Sequence, residues 1–419
     1  MANTLNLGTD GNWAIKEGAL LGYNSESSNF KPLPFNFTRA STATYIAKDG
    51  LIKTAASGVP RIDFLDSTEG SLKLEPQRTN LVTQSNSFEQ WTEYNASAVL
   101  SSEIAPDGQN AYKIVEDSTL NNHGVYLSNL FSANGTQYVW SVYVKGAERR
   151  YVVLTARIGI SSNASALIFD TQEGEWVLDA SSQNEALFAE NVGNDWWRIG
   201  IEGNPTSGAY DSYTIASAIG GSTYLDANYQ GDGTSGIYIY GAQVEAGNYA
   251  TSIIKTSGST ATRIAETCSQ TPPNGIIGQT EGTIFVDFIP KSEDDFQILY
   301  QIRTSGATNV GQVDIRLQSG IIRALGNDAG STQFNIAGTS FDAGTRYKCA
   351  VRYKENDVAF YINGVLIGTD SSASFSSSSK DQISFGENLT SLLPVTNIVD
   401  ARLYDNGLSN SELATLTTI

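Results

Sequence analysis

The chain is short of almost everything that ready-made catalytic chemistry requires. Its 419 residues contain one histidine, His123, two cysteines, Cys268 and Cys349, and one methionine. Any Ser-His-Asp or Cys-His device must be built on His123, and neither cysteine lies near it in sequence. Metal sites made of histidine and cysteine clusters are excluded by count. Two widely separated cysteines form no disulfide framework and no metal spacing, so both read as structural or incidental. His123, in Asn121-Asn122-His123-Gly124, reads as a solvated loop residue. Charged residues are only 17%, with 26 basic against 44 acidic side chains and a net charge of -18. A general nucleic-acid binder shows the opposite, a basic stripe, so nucleic acid is not an expected partner. No apolar run approaches the ~18 residues of a membrane helix. Met1 to Gly8 carries neither the basic nor the apolar region of a signal peptide. The expectation is synthesis in a cytoplasm without membrane insertion.

What is present is the material of strands and turns. Hydrophobic residues make up 40%, and 39 glycines stand against 10 prolines, a folded composition rather than a disordered acidic one. Segments of four to eight residues alternate apolar and polar. They are punctuated by Asp-Gly or Asn-Gly pairs at 49–50, 107–108, 134–135, 363–364 and 406–407, which are hairpin and tight-turn signals. Tyr347 to Lys354 is the clearest strand, with Tyr347, Cys349, Val351 and Tyr353 on a core face and Lys348, Ala350, Arg352 and Lys354 toward water. A turn at Glu355-Asn356-Asp357, a strand through Phe360-Tyr361-Ile362, an Asn363-Gly364 corner and Val365-Leu366-Ile367 complete a three-stranded meander. The one helix signal is C-terminal, where Ser409-x-x-Glu412 has capping-box spacing ahead of Leu413 and Leu416. The fold class is therefore all-β, with tandem β-sandwich or jelly-roll domains and one short C-terminal helix.

Composition and charge divide the chain into three. Residues 1–85 carry 8 basic and 8 acidic side chains, 86–265 carry 8 and 19, and 266–419 carry 10 and 17. A neutral first module before two acidic ones suits a module that packs against a partner. A break follows Pro76-Gln77-Arg78-Thr79-Asn80, and a Ser/Gly/Pro-rich linker runs from Thr256 to Gly275. The domains expected are an irregular N-terminal module at 1–85, a β-sandwich at 86–265 and a jelly roll at 280–419. The serine-rich run from Ser371 to Lys380 reads as a surface loop.

Four further patterns bear on chemistry. Gly231-Asp232-Gly233-Thr234-Ser235-Gly236 matches Gly-x-Gly-x-x-Gly, but the strand-like Ile237-Tyr238-Ile239-Tyr240 follows it, and a dinucleotide site needs a helix there. Asp226, Asn228 and Gln230 echo a calcium loop whose closing glutamate is replaced by Ile237. The count leaves room for a carboxylate pair of the kind that hydrolyses glycosides. Glu293-Asp294-Asp295-Phe296-Gln297 and Glu355-Asn356-Asp357-Val358-Ala359 both lack the third acid of the Glu-x-Asp-x-Glu strand of jelly-roll glucanases. Adjacent strand residues point to opposite faces, so one of Trp196 and Trp197 belongs to the core and the other is less buried.

Three stretches resemble known families. Phe37-Thr38-Arg39-Ala40-Ser41-Thr42-Ala43-Thr44-Tyr45, Asp49-Gly50-Leu51-Ile52, Pro60-Arg61-Ile62-Asp63-Phe64 and Leu74-Glu75-Pro76-Gln77-Arg78-Thr79-Asn80-Leu81 resemble a module that recurs in bacteriophage virion proteins. The middle domain resembles the phage head spike fibre domain, a sandwich similar to carbohydrate-binding modules. That likeness rests on Pro106-Asp107-Gly108, Tyr138 to Lys145, Trp196-Trp197-Arg198 and Tyr240 to Gly247. Residues 280–419 resemble a laminin-G or concanavalin-A-like jelly roll through Gly282 to Val286, Tyr361 to Gly364, Arg402-Leu403-Tyr404 and Glu412-Leu413. The resemblance implies a non-enzymatic structural protein at the surface of a tailed-phage virion: a head fibre, spike or capsid decoration protein. It would dock through residues 1–85 to capsid or tail proteins and assemble as a homotrimer. The alternatives it leaves open are a tail fibre or receptor-binding adhesin for a host-surface glycan, and a glycan depolymerase. It implies no cofactor. It sometimes brings calcium, but no metal ligand, catalytic residue or ligand-binding residue is singled out.

Overall fold

A computed structural model describes residues 5–23, 32–128, 130, 136–157, 167–179, 186–203, 212–272, 274–292, 296–307, 309–375, 378–386 and 396–419. The described residues are all-β apart from 3-10 turns and one α-helix, Asn410–Thr417. That helix starts as the sequence predicts. The Ser409 side chain accepts from the Glu412 N–H while Glu412 reaches back to the Ser409 N–H.

The chain forms two compact units, not three modules. One comprises residues 1–48, 54–77 and 264–419; the other comprises 49–53 and 78–263. The separate N-terminal module at 1–85 is therefore corrected, and the reason is strand pairing over long sequence distance. Leu5–Leu7 pairs with Thr396–Tyr404, Ser71–Leu74 pairs antiparallel with the start of that same strand, and Pro32–Thr38 pairs with Thr267–Gln270. The expected linker is likewise structured. Ala261–Arg263 and Thr267–Gln270 are strands, and Arg263 and Glu266 are buried.

In the first unit, Thr396–Tyr404, Glu281–Pro290, Tyr347–Lys354, Val358–Ile362 and Val365–Asp370 are neighbours in one antiparallel layer. Thr267–Gln270, Gln382–Phe385, Phe296–Arg303, Gln312–Gln318, Ile321–Asp328 and Ser331–Ser340 form the facing layer. Period-two alternation places Ile284, Val286 and Phe288 with Tyr300, Ile302, Val313 and Ile315 in one core. The meander is as predicted, and Asn363 and Gly364 sit at φ 48° and 81°, the paired positive φ of a tight hairpin turn. The expected water face of Tyr347–Lys354 is only partly in water, because Ala350, with Phe285, Ala359 and Tyr361, packs beneath Leu413 and Leu416 of the helix. In the run from Ser371 to Lys380, Ser371, Ser372 and Ser379 are exposed as a surface loop requires, while Ala373, Phe375 and Lys380 are buried.

Among the described residues, the second unit is a sandwich of two six-stranded antiparallel layers. Its core joins Trp140, Val142 and Val144 of one layer to Val152, Leu154 and Ile215 of the other. Trp140 meets Tyr213 with ring centroids 5.0 Å apart.

The charged and amide residues Arg39, Arg61, Glu75 and Asn80 of the first phage-like stretch are interior framework, while Thr38, Ala40, Thr42, Asp49 and Gly50 are exposed. Glu266 Oε1 accepts from Arg39 at 2.7 Å and from Arg61 Nε at 2.9 Å; its Oε2 accepts from the second Arg61 nitrogen and from the Glu75 N–H at 2.9 Å. Arg61 also pairs with Glu75 at 2.8 Å. Arg39, Arg61, Glu75 and Glu266 are all at most 3% exposed. In the second unit, buried Asn80 donates to the Ala242 and Ile254 carbonyls and accepts from the Val82 and Val244 N–H groups. The large majority of buried polar groups in folded proteins are satisfied in this way.

Candidate functional site

The sequence candidates for chemistry are occupied, and two of them, the His123 ring and Gly231 of the glycine-rich loop, lie against each other. His123 is not a loop residue; it starts the strand His123–Leu127 and is fully buried. Its Nδ1 lies 2.6 Å from the Asn95 carbonyl and its Nε2 3.1 Å from the Tyr229 carbonyl. Both nitrogens are thus committed to backbone oxygens and neither faces a nucleophile. Cys268 and Cys349 are buried thiols outside any disulfide, and burial holds the Cys349 thiol well above its usual range. Gly231 to Gly236 is a loop leading into the strand Gly236–Ala246. The Asp232 carboxylate organises it by accepting from Thr234 and Ser235, which holds Asp232 well below the usual carboxylate range.

The calcium echo does not converge. Asp226 accepts from the Ser222 and Thr223 N–H groups, and Gln230 donates to the Ser118 carbonyl. Among the described residues no group of three or more His, Cys, Asp or Glu side chains could hold a metal. Glu355-Asn356-Asp357 is the predicted turn, with Asn356 at φ 56° and Asp357 paired with Arg352. Glu293 to Asp295 and the Asn134-Gly135 pair lie outside the described residues. Asn406-Gly407 joins a strand to the helix and is no hairpin. Trp196 is fully buried and Trp197 half-buried, its indole donating to the Thr171 carbonyl.

The structure instead assembles a site that the sequence reading passed over. On the layer face that carries the helix, a cavity of about 290 Å³ opens in the first unit. Asp287 has Lys348 opposite it on one side and Asp400 opposite on the other; two residues away, Phe285 stands opposite Arg402. Val399 and Leu416 complete an apolar floor, and Gly8, Asp10 and Glu69 close the rim. Gly8, at φ 72°, keeps that wall thin, since a Cβ there would lie 2.3 Å from the Trp13 ring and 2.6 Å from the Val399 carbonyl.

Arginines clamp both central carboxylates. Arg346 grips Asp287 through two bonds of 2.8 and 2.7 Å and also reaches Glu69 at 2.8 Å. Arg402 bonds Asp400 Oδ2 at 2.9 and 2.5 Å, and Thr9 donates to Asp400 Oδ1 at 3.0 Å. Burial raises Asp287 above the ordinary carboxylate range against the pull of Arg346 and Lys348. Burial raises Asp400 in the same way against Arg402 and Thr9, and Asp287 adds like charge. Directly opposed strand residues have Cβ atoms about 4.5–5.5 Å apart. The arrangement is therefore a close, rigid carboxylate pair rimmed by fixed donors.

No protein-family model and no curated protein matches the chain. Among solved structures it is similar to the CBM40 of the Ruminococcus gnavus IT-sialidase bound to α2,3-sialyllactose. Identity there is 17%, over 34% of this chain and 84% of that one, with a TM-score of 0.30. It is also similar to domain 4 of AbnA, a GH43 extracellular arabinanase from Geobacillus stearothermophilus in complex with arabinotriose (15% identity, 41% and 81% covered, TM-score 0.30). A third is the heptameric SAP-like pentraxin of Limulus polyphemus (14% identity, 32% and 68% covered, TM-score 0.26). At these identities the likeness is one of fold alone.

A local signal for the cavity did exist. Asp287 interrupts the apolar run Ile284-Phe285-Val286-Asp287-Phe288-Ile289, and Asp400 and Arg402 share a face two residues apart. A charge inside a buried strand demands a partner. Which partner it finds depends on strand register, which one sequence does not reveal.

Proposed function

We propose that this chain is a non-enzymatic, glycan-recognising protein of a phage virion surface, working as a homotrimer among other virion structural proteins. The cavity of the first unit carries the recognition part: an apolar floor under clamped donors and acceptors is the composition of a small-ligand site. The phage-like sequence stretches support the virion part. Docking cannot run through Arg39, Arg61, Glu75 or Asn80, which are interior, so an attachment surface has to be made by other residues. A glycan array probed with the full chain tests recognition. Reproducible binding to one glycan class is expected, and a blank array at micromolar protein would refute it. Antibody labelling of particles under the electron microscope separates the head fibre or decoration protein from the tail adhesin. Absence of label from every particle would remove the virion role.

The Asp287–Asp400 pair, opposed across two neighbouring strands, favours a second reading, a depolymerase, because glycosidases work with two carboxyl groups beside the bond they cleave. Against it, Asp287 is held by a guanidinium on both oxygens and Asp400 by Arg402 and Thr9, which is positioning rather than proton transfer. Release of reducing ends from bound glycan, lost in Asp287→Asn, would establish the depolymerase.

A further inference from the structure

We infer that the cavity beside the C-terminal helix takes a single uncharged sugar ring with adjacent hydroxyl groups. The inference rests on the glycan-recognition reading and adds to it the site and the ligand class.

Charge balance comes first. The carboxylates of Asp10, Glu69, Asp287 and Asp400 face the cations of Arg346, Lys348 and Arg402. An anionic sugar would meet four carboxylates, and an aminosugar cation would meet three positive side chains at close range. Neither sign gains enough to repay its desolvation. Hydrogen-bonding type comes second. Carboxylates only accept, and guanidinium and ammonium groups only donate. A wall that interleaves the two calls for groups that do both, and a hydroxyl donates to a carboxylate while accepting from a neighbouring cation.

Capacity and order follow. A carboxylate offers about four acceptor positions. Arg346 uses one on each oxygen of Asp287, so acceptor capacity remains on both. The clamps fix these oxygens before any ligand arrives, which lowers the ordering entropy of binding. Size limits the ligand to one ring, since 290 Å³ lies at the foot of the ~300–1,000 Å³ range of small-molecule sites. Phe285, Val399 and Leu416 give the cavity apolar lining for the C–H groups of the ring, with the Arg402 guanidinium 5.4 Å over the Phe285 ring.

The test is saturation-transfer NMR on the full chain with methyl glycosides of glucose, galactose, mannose and N-acetylglucosamine, beside N-acetylneuraminic acid, glucuronic acid and glucosamine. At least one neutral glycoside should bind with a Kd at least tenfold below those of the charged sugars. Two variants locate the site. Thr415→Trp inserts bulk from an exposed position on the cavity rim, and Lys348→Met removes a donor. Each should raise that Kd at least tenfold while leaving the thermal transition within ~2 °C of wild type. Unchanged binding in a folded Thr415→Trp would overturn the inference even if the glycan array is positive. So would a tenfold preference for a charged sugar, or no binding of any sugar in the panel. A blank array would bring down the broader reading as well.

Discussion

Removal of one carboxylate, that of Glu266, should unfold the first unit at markedly lower temperature. Glu266 accepts from Arg39, from two nitrogens of Arg61 and from the Glu75 N–H, in a site where all four side chains are at most 3% exposed. The cluster of Arg39, Arg61, Glu75 and Glu266 is neutral. Glu266→Gln keeps the shape but leaves one buried positive charge without compensation. Hydrogen bonds to charged groups contribute ~1.5–3 kcal/mol each, but four of them cannot add, because the total would rival the whole stability of a domain, ~5–15 kcal/mol. Breaking a buried pair by removing one partner destabilises by ~3–5 kcal/mol, and that is the expected loss here. For a domain of 150–250 residues each kcal/mol moves Tm by ~2–4 °C, so the transition should fall by roughly 6–20 °C.

Two probes assign the change. Trp13 is the first unit's one tryptophan and the other five lie in the second, so tryptophan fluorescence follows mainly the second unit while far-UV circular dichroism follows both. Glu266→Gln should lower a dichroism transition and leave the fluorescence transition in place. Adding Arg39→Met removes the excess charge, and the double variant should be at least ~1 kcal/mol more stable than the sum of the single changes predicts. A shift below 2 °C in Glu266→Gln would refute the reasoning, because the network would then contribute no more than an exposed pair.

Three further outcomes follow from the same physics. Burial raises the Glu116 carboxyl, but Arg149, Tyr229 and the Asp232 N–H together hold it below its usual 4.5. The stability it confers is therefore present above that value and lost as pH falls through the lower folded value. Urea titrations should show wild type more stable than Glu116→Gln by roughly 2–3 kcal/mol at pH 7, with the gap closing below about pH 4.5; a constant gap would refute this. Lys380 is buried between the Gln279 carbonyl, at 2.6 Å, and the rings of Tyr353 and Phe375, and burial lowers its ammonium from 10.5 to about 8. The unfolded chain holds that proton longer, so stability should rise between pH 8 and 10.5 by up to about 3 kcal/mol, and Lys380→Met should abolish that rise. Cys268 and Cys349 should react with a thiol reagent only as the first unit unfolds, and prompt labelling of native protein would contradict their burial.

Local patterns carried much of the fold. Alternation at Tyr347–Lys354, the Asn363-Gly364 corner and the Ser409–Glu412 box are each set by a few neighbouring residues, and each is legible for that reason. Domain division was not legible. Leu5–Leu7 belongs with Thr396–Tyr404 because of a backbone ladder formed across nearly the whole chain, and no nearby residue announces a partner so remote. The neutral charge of residues 1–85 read as an attachment module, whereas Arg39, Arg61 and Glu75 balance one another and Glu266 in the interior. His123 misled for a related reason. Polar neighbours such as Asn121 and Asn122 suggest water, but the ring is turned toward the carbonyls of Asn95 and Tyr229, which lie far from it in sequence.

The candidate site shows the same division. Sequence alone determined an all-β chain with one histidine, no cysteine–histidine metal site, an acidic balance and a capped terminal helix, since these depend on composition and short spacing. Only the tertiary structure decided that Asp287, Asp400, Arg346, Arg402 and Lys348 share one cavity. They sit on three neighbouring strands and the residues leading into them, and a one-residue slip in register would turn those on the slipped strand to the opposite face. That register is held by the packed core on the other face, a property of the folded layers that no single segment contains.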